Sequence, residues 1–296
     1  MKVSIGIPFY NPGEFFKQSI HTILNQTFTD FELILLDDGS SDHSLEIAKS
    51  FKDPRIKIIS DGLNKGLPAR LNQIIDIAQG EYIARMDADD LVSLQRIEKQ
   101  VALLDSSPEI DIISTGLCSI TNNNEVIGYR QPTVEKLRTL SVSDAIFGRS
   151  GIAHATILVR KTWYLRNRYN EKAKLKEDYQ LWIDASVKND LNVAFIKDPL
   201  YFYHEESSVS AKKAIKAYYN GLVIIFSQYF QYLSFTNKLK LFCTTCAKIL
   251  FVAFANVFKF KEKLLFLRNK NTVQNPQLIK KLQSELSCLI KSSDHR

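Results

Sequence analysis

The stretch YIARMDADDL, residues 82–91, decides how the first half of this sequence is interpreted. It begins as an apolar run typical of a buried strand and ends with three carboxylates, Asp87, Asp89 and Asp90, within four positions. Carboxylates this close raise one another's pKa unless a cation neutralises them. The stretch therefore predicts a strand whose carboxyl end enters a binding site.

Three apolar runs before this stretch have the same character and alternate with helix signals. VSIGIPF (3–9), FELILL (31–36) and IKII (56–59) predict strands, and the segments after them carry apolar residues at helical spacing. Strands that alternate with helices at this spacing imply right-handed crossovers and a largely parallel sheet. We therefore predict an α/β fold, with a Rossmann-like, mostly parallel sheet flanked by helices.

Polar side chains follow each of these four strands, where the strand leaves the apolar core. In parallel α/β sheets, ligands bind outside the carboxyl ends of the strands. Because those ends lie at one edge of the sheet, the four polar loops are predicted to form one site. The residues concerned are Tyr10, Asn11, Asp37, Asp38, Asn64, Asp87 and Asp89.

The pattern Asp87-Ala88-Asp89 has two interpretations. Asp is common in solvated turns and at helix N-termini, where the helix dipole favours negative charge. Alternatively, a hard divalent cation such as Mg²⁺ or Mn²⁺ takes one or two carboxylates and keeps positions open for a diphosphate. The place of the pattern at a strand end, beside the other polar loops, favours the metal. Neither G-x-G-x-x-G nor a P-loop pattern occurs, so dinucleotide and P-loop sites lose support.

Beyond residue 110 the pattern is looser, and the candidate residues stay ambiguous. Glu177 and Asp178 precede a predicted helix, so Asp178 is interpreted either as an N-cap or as a general base. His154 is either structural or a contact to a phosphate-bearing ligand. The predicted strands are 111–115, 125–129, 155–160, 193–196 and 200–204, and the predicted helices are 133–146 and 178–189.

Six motifs resemble, in order and spacing, the inverting family 2 glycosyltransferases of bacterial surface-polysaccharide type, which adopt the GT-A nucleotide-sugar-binding fold. The resemblance covers about residues 2–210. It implies metal-dependent transfer of a sugar from a nucleotide sugar, of the UDP-sugar class, to a hydroxyl of a glycan or lipid-linked glycan, with Mn²⁺ or Mg²⁺ as cofactor. The motifs are SIGIPFYN (4–11), ILNQTFTDFELILLDDGSSD (23–42), NKGLPARLNQ (64–73), AQGEYIARMDADD (78–90), HATILVRK (154–161) and KEDYQLW (176–182).

The resemblance also implies roles for individual residues. Asp178 would be the catalytic base of a single inverting displacement, and Asp89 would coordinate the metal that bridges the diphosphate. Asp38 would meet the nucleotide base and Asp87 the ribose, while Asp90 is expected to start a helix or to support the other carboxylates. The other implied nucleotide-sugar contacts are Pro8, Tyr10, Asn11, Asn64, Arg70 and Ala88, with His154 and Glu177 as further substrate contacts.

The last third of the chain differs in charge from the rest. Residues 1–210 carry 24 basic and 29 acidic side chains, whereas residues 211–296 carry 15 basic and 3 acidic ones. We therefore predict a catalytic domain over 1–210 and a basic, aromatic, mainly helical extension over 211–296. The acidic catalytic half, with no nucleic-acid-binding motif, indicates that nucleic acid is not a partner.

Residues 238–267 predict an amphipathic helix that is bordered by lysines. This helix either packs on the catalytic domain or lies in a membrane surface, with its lysines at anionic headgroups. The uninterrupted apolar run 249–258 is too short to span a bilayer, and the basic, aromatic composition favours the membrane surface.

Four unevenly spaced cysteines fit reduced thiols. With the resemblance, these features imply a cytoplasmic protein, peripheral on the inner face of the cytoplasmic membrane, that acts in lipopolysaccharide, O-antigen or capsule synthesis. The alternative is a catalytically degenerate domain that binds nucleotide sugar or glycan without turnover.

Overall fold

The computed structural model describes residues 1–137, 139–205, 211–257 and 275–294. The strands are β1 (Val3–Phe9), β2 (Phe31–Asp37), β3 (Ile56–Ser60), β4 (Tyr82–Arg85), β5 (Leu91–Val92), β6 (Ile112–Ile120), β7 (Val126–Arg130), β8 (Lys136–Leu137), β9 (Leu158–Arg160) and β10 (Val193–His204). The α-helices are α1 (Phe16–Leu24), α2 (Ser44–Ser50), α3 (Leu67–Ile77), α4 (Arg96–Asp105), α5 (Val142–Ile146), α6 (Lys161–Arg166), α7 (Glu177–Val187), α8 (Ala211–Ile224), α9 (Phe235–Val257) and α10 (Pro276–Asp294).

Across the described residues these strands form one sheet, in the order β3-β2-β1-β4-β9-β6-β10-β5, with β7 paired to β6 and β8 to β10. The pairs β1–β2, β1–β4, β2–β3 and β6–β10 are parallel, and β9 runs antiparallel between β4 and β6. The predicted mixed α/β fold with a mostly parallel sheet is confirmed. The strands β2 and β3 lie on one side of β1 and β4 lies on its other side, so the strand order reverses beside β1.

Helices cover both faces of the sheet, which explains why its central strands are continuous apolar runs. Every residue of β1 and β2 is buried. One core layer joins the sheet to α1 and α4, through side chains such as Ile20 and Ile97, and the other joins it to α3 and α7, through Ile74 and Leu181. Each such fully buried side chain contributes about 1.5–3 kcal/mol.

The turn between α3 and β4 approaches β1 closely at Gly80. A Cβ at this position would lie 2.5 Å from the Ser4 backbone nitrogen, so only glycine fits. The Gly80 N–H donates a hydrogen bond to Ser4 Oγ at 2.8 Å. This contact fixes where β4, and the carboxylates that follow it, enter the sheet.

Two predicted elements differ from the structure. The helix expected over 133–146 is reduced to α5, because Ser141 caps its start by accepting a hydrogen bond from the Asp144 N–H, and residues 136–137 pair with β10 instead. The two short strands expected at 193–196 and 200–204 are one strand, β10, whose register shifts around Pro199, a residue without an N–H donor.

The C-terminal helices are attached to the catalytic domain at both ends. Ile224 and Ile225, at the end of α8, join the core layer that contains α7, and Leu282, Leu286 and Leu289 of α10 pack against β6, β7 and β10. The helix α9 between them is mostly not buried. This arrangement combines the two interpretations of the extension, since part of it packs on the domain and part does not.

The segment Phe235–Asn256 of α9 is long and apolar enough to cross a membrane, by length and composition only. The expectation that the apolar segment is too short to span a bilayer counted only the run 249–258. It is corrected, because the apolar segment Phe235–Asn256 that overlaps this run is 22 residues long. Residues 258–267 of the predicted membrane segment lie outside the described residues.

Candidate active site

The loops after β1 and β2 are tied together by Asn11. Its Oδ1 accepts hydrogen bonds from the backbone N–H groups of Ser41 and Asp42 at 2.8 and 3.3 Å, and its own N–H donates to Ser40 Oγ. Asn11 has a φ of 48°, a left-handed conformation that Asn tolerates better than most residues. The first two predicted polar loops are therefore one connected edge, from which Tyr10 projects with 53% of its surface exposed.

Asp38 is held at this edge by the start of α3. Its carboxylate accepts the N–H groups of Lys65 and Gly66 at 2.7 and 3.0 Å, and Arg70 Nε donates to it at 2.8 Å. Arg70 is completely buried and also bridges to Asp61 at 2.6 Å. Because its guanidinium lies behind Asp38, Arg70 positions that carboxylate, and the expected direct ligand contact by Arg70 is corrected.

Pro8 and Ala88 are also enclosed. Pro8 lies inside β1, opposite Leu36, and Ala88 belongs to the core layer that contains α1. Their side chains therefore support the site from within the core, which differs from the expectation that they line the nucleotide pocket. Asn64, by contrast, is exposed on the loop before α3.

The three carboxylates after β4 have three different environments. Asp87 forms a two-pronged ion pair with Arg85, with nitrogen–oxygen distances of 2.5 and 3.0 Å. Asp90 is 1% exposed, and burial, followed by the Asp87 and Asp89 carboxylates, raises its pKa well above the ordinary value. Asp89 is half-buried. Asp87 is likewise partly exposed, so the negative charge is divided between one enclosed and two partly exposed carboxylates.

Asp90 stabilises the loop after β4 through buried hydrogen bonds. The Tyr201 hydroxyl donates to Asp90 Oδ2 at 2.7 Å and accepts the Asp87 N–H, while the His204 N–H donates to Asp90 Oδ1 at 2.9 Å. The next helix begins only at Arg96, so the helix-start role for Asp90 is wrong and the supporting role agrees with the structure.

A cleft of about 590 Å³ opens beside this loop and brings four of the predicted residues together. They are Asp87, His154, Glu177 and Asp178. Tyr10, Asn11, Asp38 and Asn64 do not line it and lie at the neighbouring strand ends. Asp89, on the loop after β4, does not line it either. The predicted residues therefore divide into a group in the cleft and a group beside it.

Glu177 and Asp178 enter the cleft from the first turn of α7. Lys176 is the N-cap residue, so Asp178 is not the N-cap, although its Oδ1 accepts the N–H of Tyr179 at 2.7 Å. Burial raises the pKa of Glu177, and the carboxylates of Asp178 and Asp87 raise it further. Leu175 precedes the helix with a φ of 63°, a left-handed conformation that costs a bulky residue about 1–2 kcal/mol. Such strain is typical of functional sites.

His154 lies in a short 3₁₀ turn (His154–Thr156) and is neutral. Its Nε2 forms a hydrogen bond of 2.8 Å with the Tyr169 hydroxyl, and its ring packs edge-on against Trp182. Burial, assisted by the positive charge of Arg85, lowers the pKa of His154 well below its ordinary value. A neutral imidazole in the cleft is suited to hydrogen bonding and not to neutralising phosphate charge.

Sequence reasoning missed seven polar residues that line the cleft: Arg85, Thr115, Arg130, Gln131, Thr133, Tyr201 and Tyr203. Arg85 carried a usable signal, because a charged side chain inside the buried strand β4 needs a partner, here Asp87. Tyr201 and Tyr203 lie on β10, which reaches β6 through long-range pairing, and Arg130 lies on β7, which forms a hairpin with β6. No local pattern marks such residues.

The acidic loop fits a divalent cation that is shared with a ligand. Among the described residues, no group of three or more acidic, His or Cys side chains forms an all-protein metal site. Asp89 is a partly exposed oxygen donor beside a second carboxylate, which is the donor set that Mg²⁺ and Mn²⁺ use when phosphates complete the coordination. Asp89 would hold the cation, and Asp87 would remain paired with Arg85.

Comparison with known sequences identifies relatives of this chain. The sequence profile described as "Glycosyl transferase family 2" matches residues 4–168. The UDP-Glc:alpha-D-GlcNAc-diphosphoundecaprenol beta-1,3-glucosyltransferase WfgD of Escherichia coli is 29% identical over 214 residues, which cover 71% of this chain and 80% of that protein.

Two solved structures have a similar fold. Staphylococcus aureus TarS residues 1–349, in complex with UDP-GlcNAc, gives a TM-score of 0.58 at 17% identity, over 99% of this chain and 82% of that one. The mannosyltransferase PcManGT from Pyrobaculum calidifontis, in complex with GDP-Man and Mn²⁺, gives 0.57 at 13% identity, over 99% and 86%. At these identities the comparison shows a common GT-A-type fold.

Proposed function

The chain belongs to glycosyl transferase family 2, and we propose that it moves a sugar from a nucleotide sugar, of the UDP-sugar class, to a hydroxyl of a glycan or lipid-linked glycan, with inversion. The observation that carries this proposal is the cleft beside the carboxyl end of β4, into which Asp87, Glu177 and Asp178 converge. Carboxylates that converge on such a crevice provide both a base and a place for a cation.

The donor is proposed to lie across the carboxyl ends of β1, β2 and β4. Asp38, fixed by Arg70, meets the nucleotide base, with Tyr10, Asn11 and Asn64 along the same edge. Asp87 faces the ribose. The crystal structure of TarS with UDP-GlcNAc supports a nucleotide-sugar donor for this fold.

Asp89 is proposed to hold Mn²⁺ or Mg²⁺ together with the donor diphosphate. When bound, the cation offsets the negative charge that develops on the departing diphosphate. PcManGT, with GDP-Man and Mn²⁺, supports this assignment. Within the chain, the Asp90–Tyr201–His204 hydrogen bonds keep the Asp89 loop in place.

Asp178 is proposed to be the base. Its carboxylate takes the proton of the acceptor hydroxyl while that oxygen forms a bond to the anomeric carbon and the bond from this carbon to the diphosphate oxygen breaks. One Asp178 oxygen is fixed by the Tyr179 N–H, which holds the carboxylate at the mouth of the cleft. Glu177, whose pKa is raised by burial, is suited to hydrogen bonding with a sugar hydroxyl.

The acceptor is proposed to be lipid-linked, in surface-polysaccharide synthesis at the inner face of the cytoplasmic membrane. WfgD, named as a glucosyltransferase that acts on GlcNAc-diphosphoundecaprenol, supports this substrate class. The mostly unburied apolar helix α9 supports a membrane surface as the working place. The alternative, a degenerate domain that binds without turnover, is disfavoured because Asp89 and Asp178 are both present.

Replacing Asp178 tests the proposal directly. Asp178→Asn removes the base but keeps the hydrogen-bond acceptor for Tyr179, so transfer should fall by about 10²–10⁴-fold while donor binding is retained. Release of nucleoside diphosphate from a donor–acceptor pair measures transfer, and calorimetry measures binding. Glu171→Gln, at an exposed carboxylate that does not line the cleft, is the control and should keep the activity. Full turnover by Asp178→Asn would contradict the assignment.

A further inference from the structure

Three cavities follow one another from the cleft towards α9. The catalytic cleft contains Glu177 and Asp178, and the residue before them, Lys176, lines a second cavity of about 180 Å³ between α5, α7, α8 and α9. Leu222 lines both this second cavity and a third one, a groove of about 490 Å³ between α8 and α9. The second and third cavities thus share Leu222, while the cleft and the second cavity are lined by residues that are neighbours in sequence, which gives the order acidic, basic, apolar.

The second cavity holds two lysines, Lys176 and Lys248. Lys176 Nζ lies 5.0 Å from the ring centroid of Tyr179 and 6.0 Å from that of Tyr218, and Lys248 Nζ lies 5.9 Å from the Tyr218 centroid. Neither ammonium group forms an ion pair with a carboxylate in the described part of the chain. Two cations that share one small cavity without a paired anion repel each other and attract an anionic ligand.

The surroundings of Lys176 agree with an anion site. Burial lowers the pKa of Lys176 and the charge of Lys248 lowers it further, while the carboxylates of Asp178 and Glu177 act in the opposite direction. A Cβ at Gly221 of α8 would make ordinary van der Waals contact with Lys176 Cε at 3.4 Å, so the Lys176 side chain lies against α8. An anion in the cavity would offset the repulsion between the two lysines.

The third cavity is lined almost entirely by apolar side chains that remain exposed. Phe226, Phe230, Phe235 and Phe242 are between 42% and 81% exposed. Lys238 stands at the edge of the groove, 3.7 Å above the Phe230 ring. A groove of this kind fits a hydrocarbon chain, and it lies beside the cavity that Lys176 and Lys248 line.

We propose that Lys176 and Lys248 bind the phosphate groups of the acceptor, whose hydrocarbon chain occupies the aromatic groove and whose sugar enters the cleft. This inference rests on the proposed function, which places the sugar end of the acceptor in the cleft. It extends that function by assigning the acceptor to the class of lipid phosphates. A ligand with a sugar, a phosphate and a hydrocarbon chain in this order matches the three cavities in the same order. Bulk phospholipid headgroups share the phosphate chemistry, so the test separates the two sources.

The test uses decyl diphosphate, below its micelle concentration and with EDTA, titrated calorimetrically into the full chain without donor. Wild-type protein should bind it, and Lys176→Gln/Lys248→Gln should bind it about ten- to a hundredfold more weakly, because both charge-assisted contacts are lost. Decyl glucoside, with the same chain and no charge, should bind weakly and equally to both proteins.

Lys212→Gln/Lys216→Gln is the matched control, because it removes the same charge from exposed positions of α8. It should leave decyl diphosphate binding unchanged. Equal binding of decyl diphosphate by wild type and the Lys176/Lys248 variant overturns the proposal. A second result also overturns the proposal: both double variants lose affinity for anionic vesicles equally, and neither loses affinity for decyl diphosphate. In that case the lysines attract bulk lipid headgroups. Because no donor is present, these results are independent of whether the protein transfers a sugar.

Discussion

At the scale of residues, the acidic loop after β4 separates what a sequence pattern predicts from what it does not. The positions of Asp87 and Asp89 at a strand end were predictable, because a buried apolar run stops where these residues begin. Their unequal environments were not predictable, because they depend on hydrogen bonds to other side chains. Arg85 pairs with Asp87, and Tyr201 donates to Asp90 from a position 111 residues away in sequence. Hydrogen bonds across the sheet decide which carboxylate stays accessible.

The same limit explains Arg70. Its position in NKGLPARLNQ resembles a ligand contact, but its side chain is completely buried against Asp38 and Asp61. A sequence motif records that a residue type is needed, and it does not tell whether the residue touches the ligand or holds the residue that does.

His154 gives a prediction about acid stability. Because its pKa is lowered in the folded protein, the unfolded chain takes up a proton below about pH 6.5 while the folded chain does not, so stability falls as the pH falls. His154→Gln retains a partner for the Tyr169 hydroxyl and removes this titration. Between pH 7 and 5, wild type should lose about 1–2 kcal/mol more unfolding free energy than the variant in urea titrations. Parallel losses in the two proteins would show that His154 does not remain neutral.

At the scale of elements, the first four strands were predictable because each is an apolar run that ends at a polar turn. The prediction of a helix over 133–146 failed because the run of apolar residues at helical spacing is short. The Ser141 cap lies eight residues after the expected start of the helix. The continuity of β10 across Pro199 is likewise set by its partner β6 and not by its own sequence. Local periodicity identifies elements that local interactions dominate.

The helix α10 is predicted to contribute substantially to stability, although it is remote from the cleft. Leu286 is completely buried between α10 and the sheet. Leu286→Ala leaves a cavity there and should reduce the free energy of unfolding by about 2–5 kcal/mol. Ser284→Ala, at an exposed position of the same helix, should change it by less than about 0.5 kcal/mol. Equal effects of the two substitutions in urea unfolding would mean that α10 is not docked on the domain.

At the scale of the whole molecule, charge and packing divide the chain differently. Charge predicts a boundary near residue 210, in the segment 206–210 that lies outside the described residues. Packing joins α8, α10 and, through Leu241, α9 to the domain, while most of the α9 surface stays exposed. We propose that residues 1–210 carry the chemistry, while the extension holds the acceptor and the membrane.

A flotation experiment with anionic vesicles tests whether α9 associates with membranes. Phe235 and Phe242 are 81% and 50% exposed on this helix, and burying each in a lipid surface would contribute about 1.5–3 kcal/mol. Phe235→Ser/Phe242→Ser should therefore reduce the fraction of protein that floats with anionic vesicles by about tenfold or more. Leu165→Ser, at a 66% exposed position of α6, should leave flotation unchanged. Identical flotation of all three proteins would count against a membrane role for α9.

The central claim, a nucleotide-sugar donor bound with a divalent cation at Asp89, is tested most directly by thermal unfolding. UDP-, dTDP- and GDP-sugars are added in turn to wild type and to Asp89→Ala, with and without Mn²⁺. At least one nucleotide sugar should raise the Tm of wild type, because a ligand that binds only the folded state raises Tm. This increase should require Mn²⁺, and it should be absent in Asp89→Ala. An increase of equal size in Asp89→Ala, or none with any nucleotide sugar, would contradict the central claim.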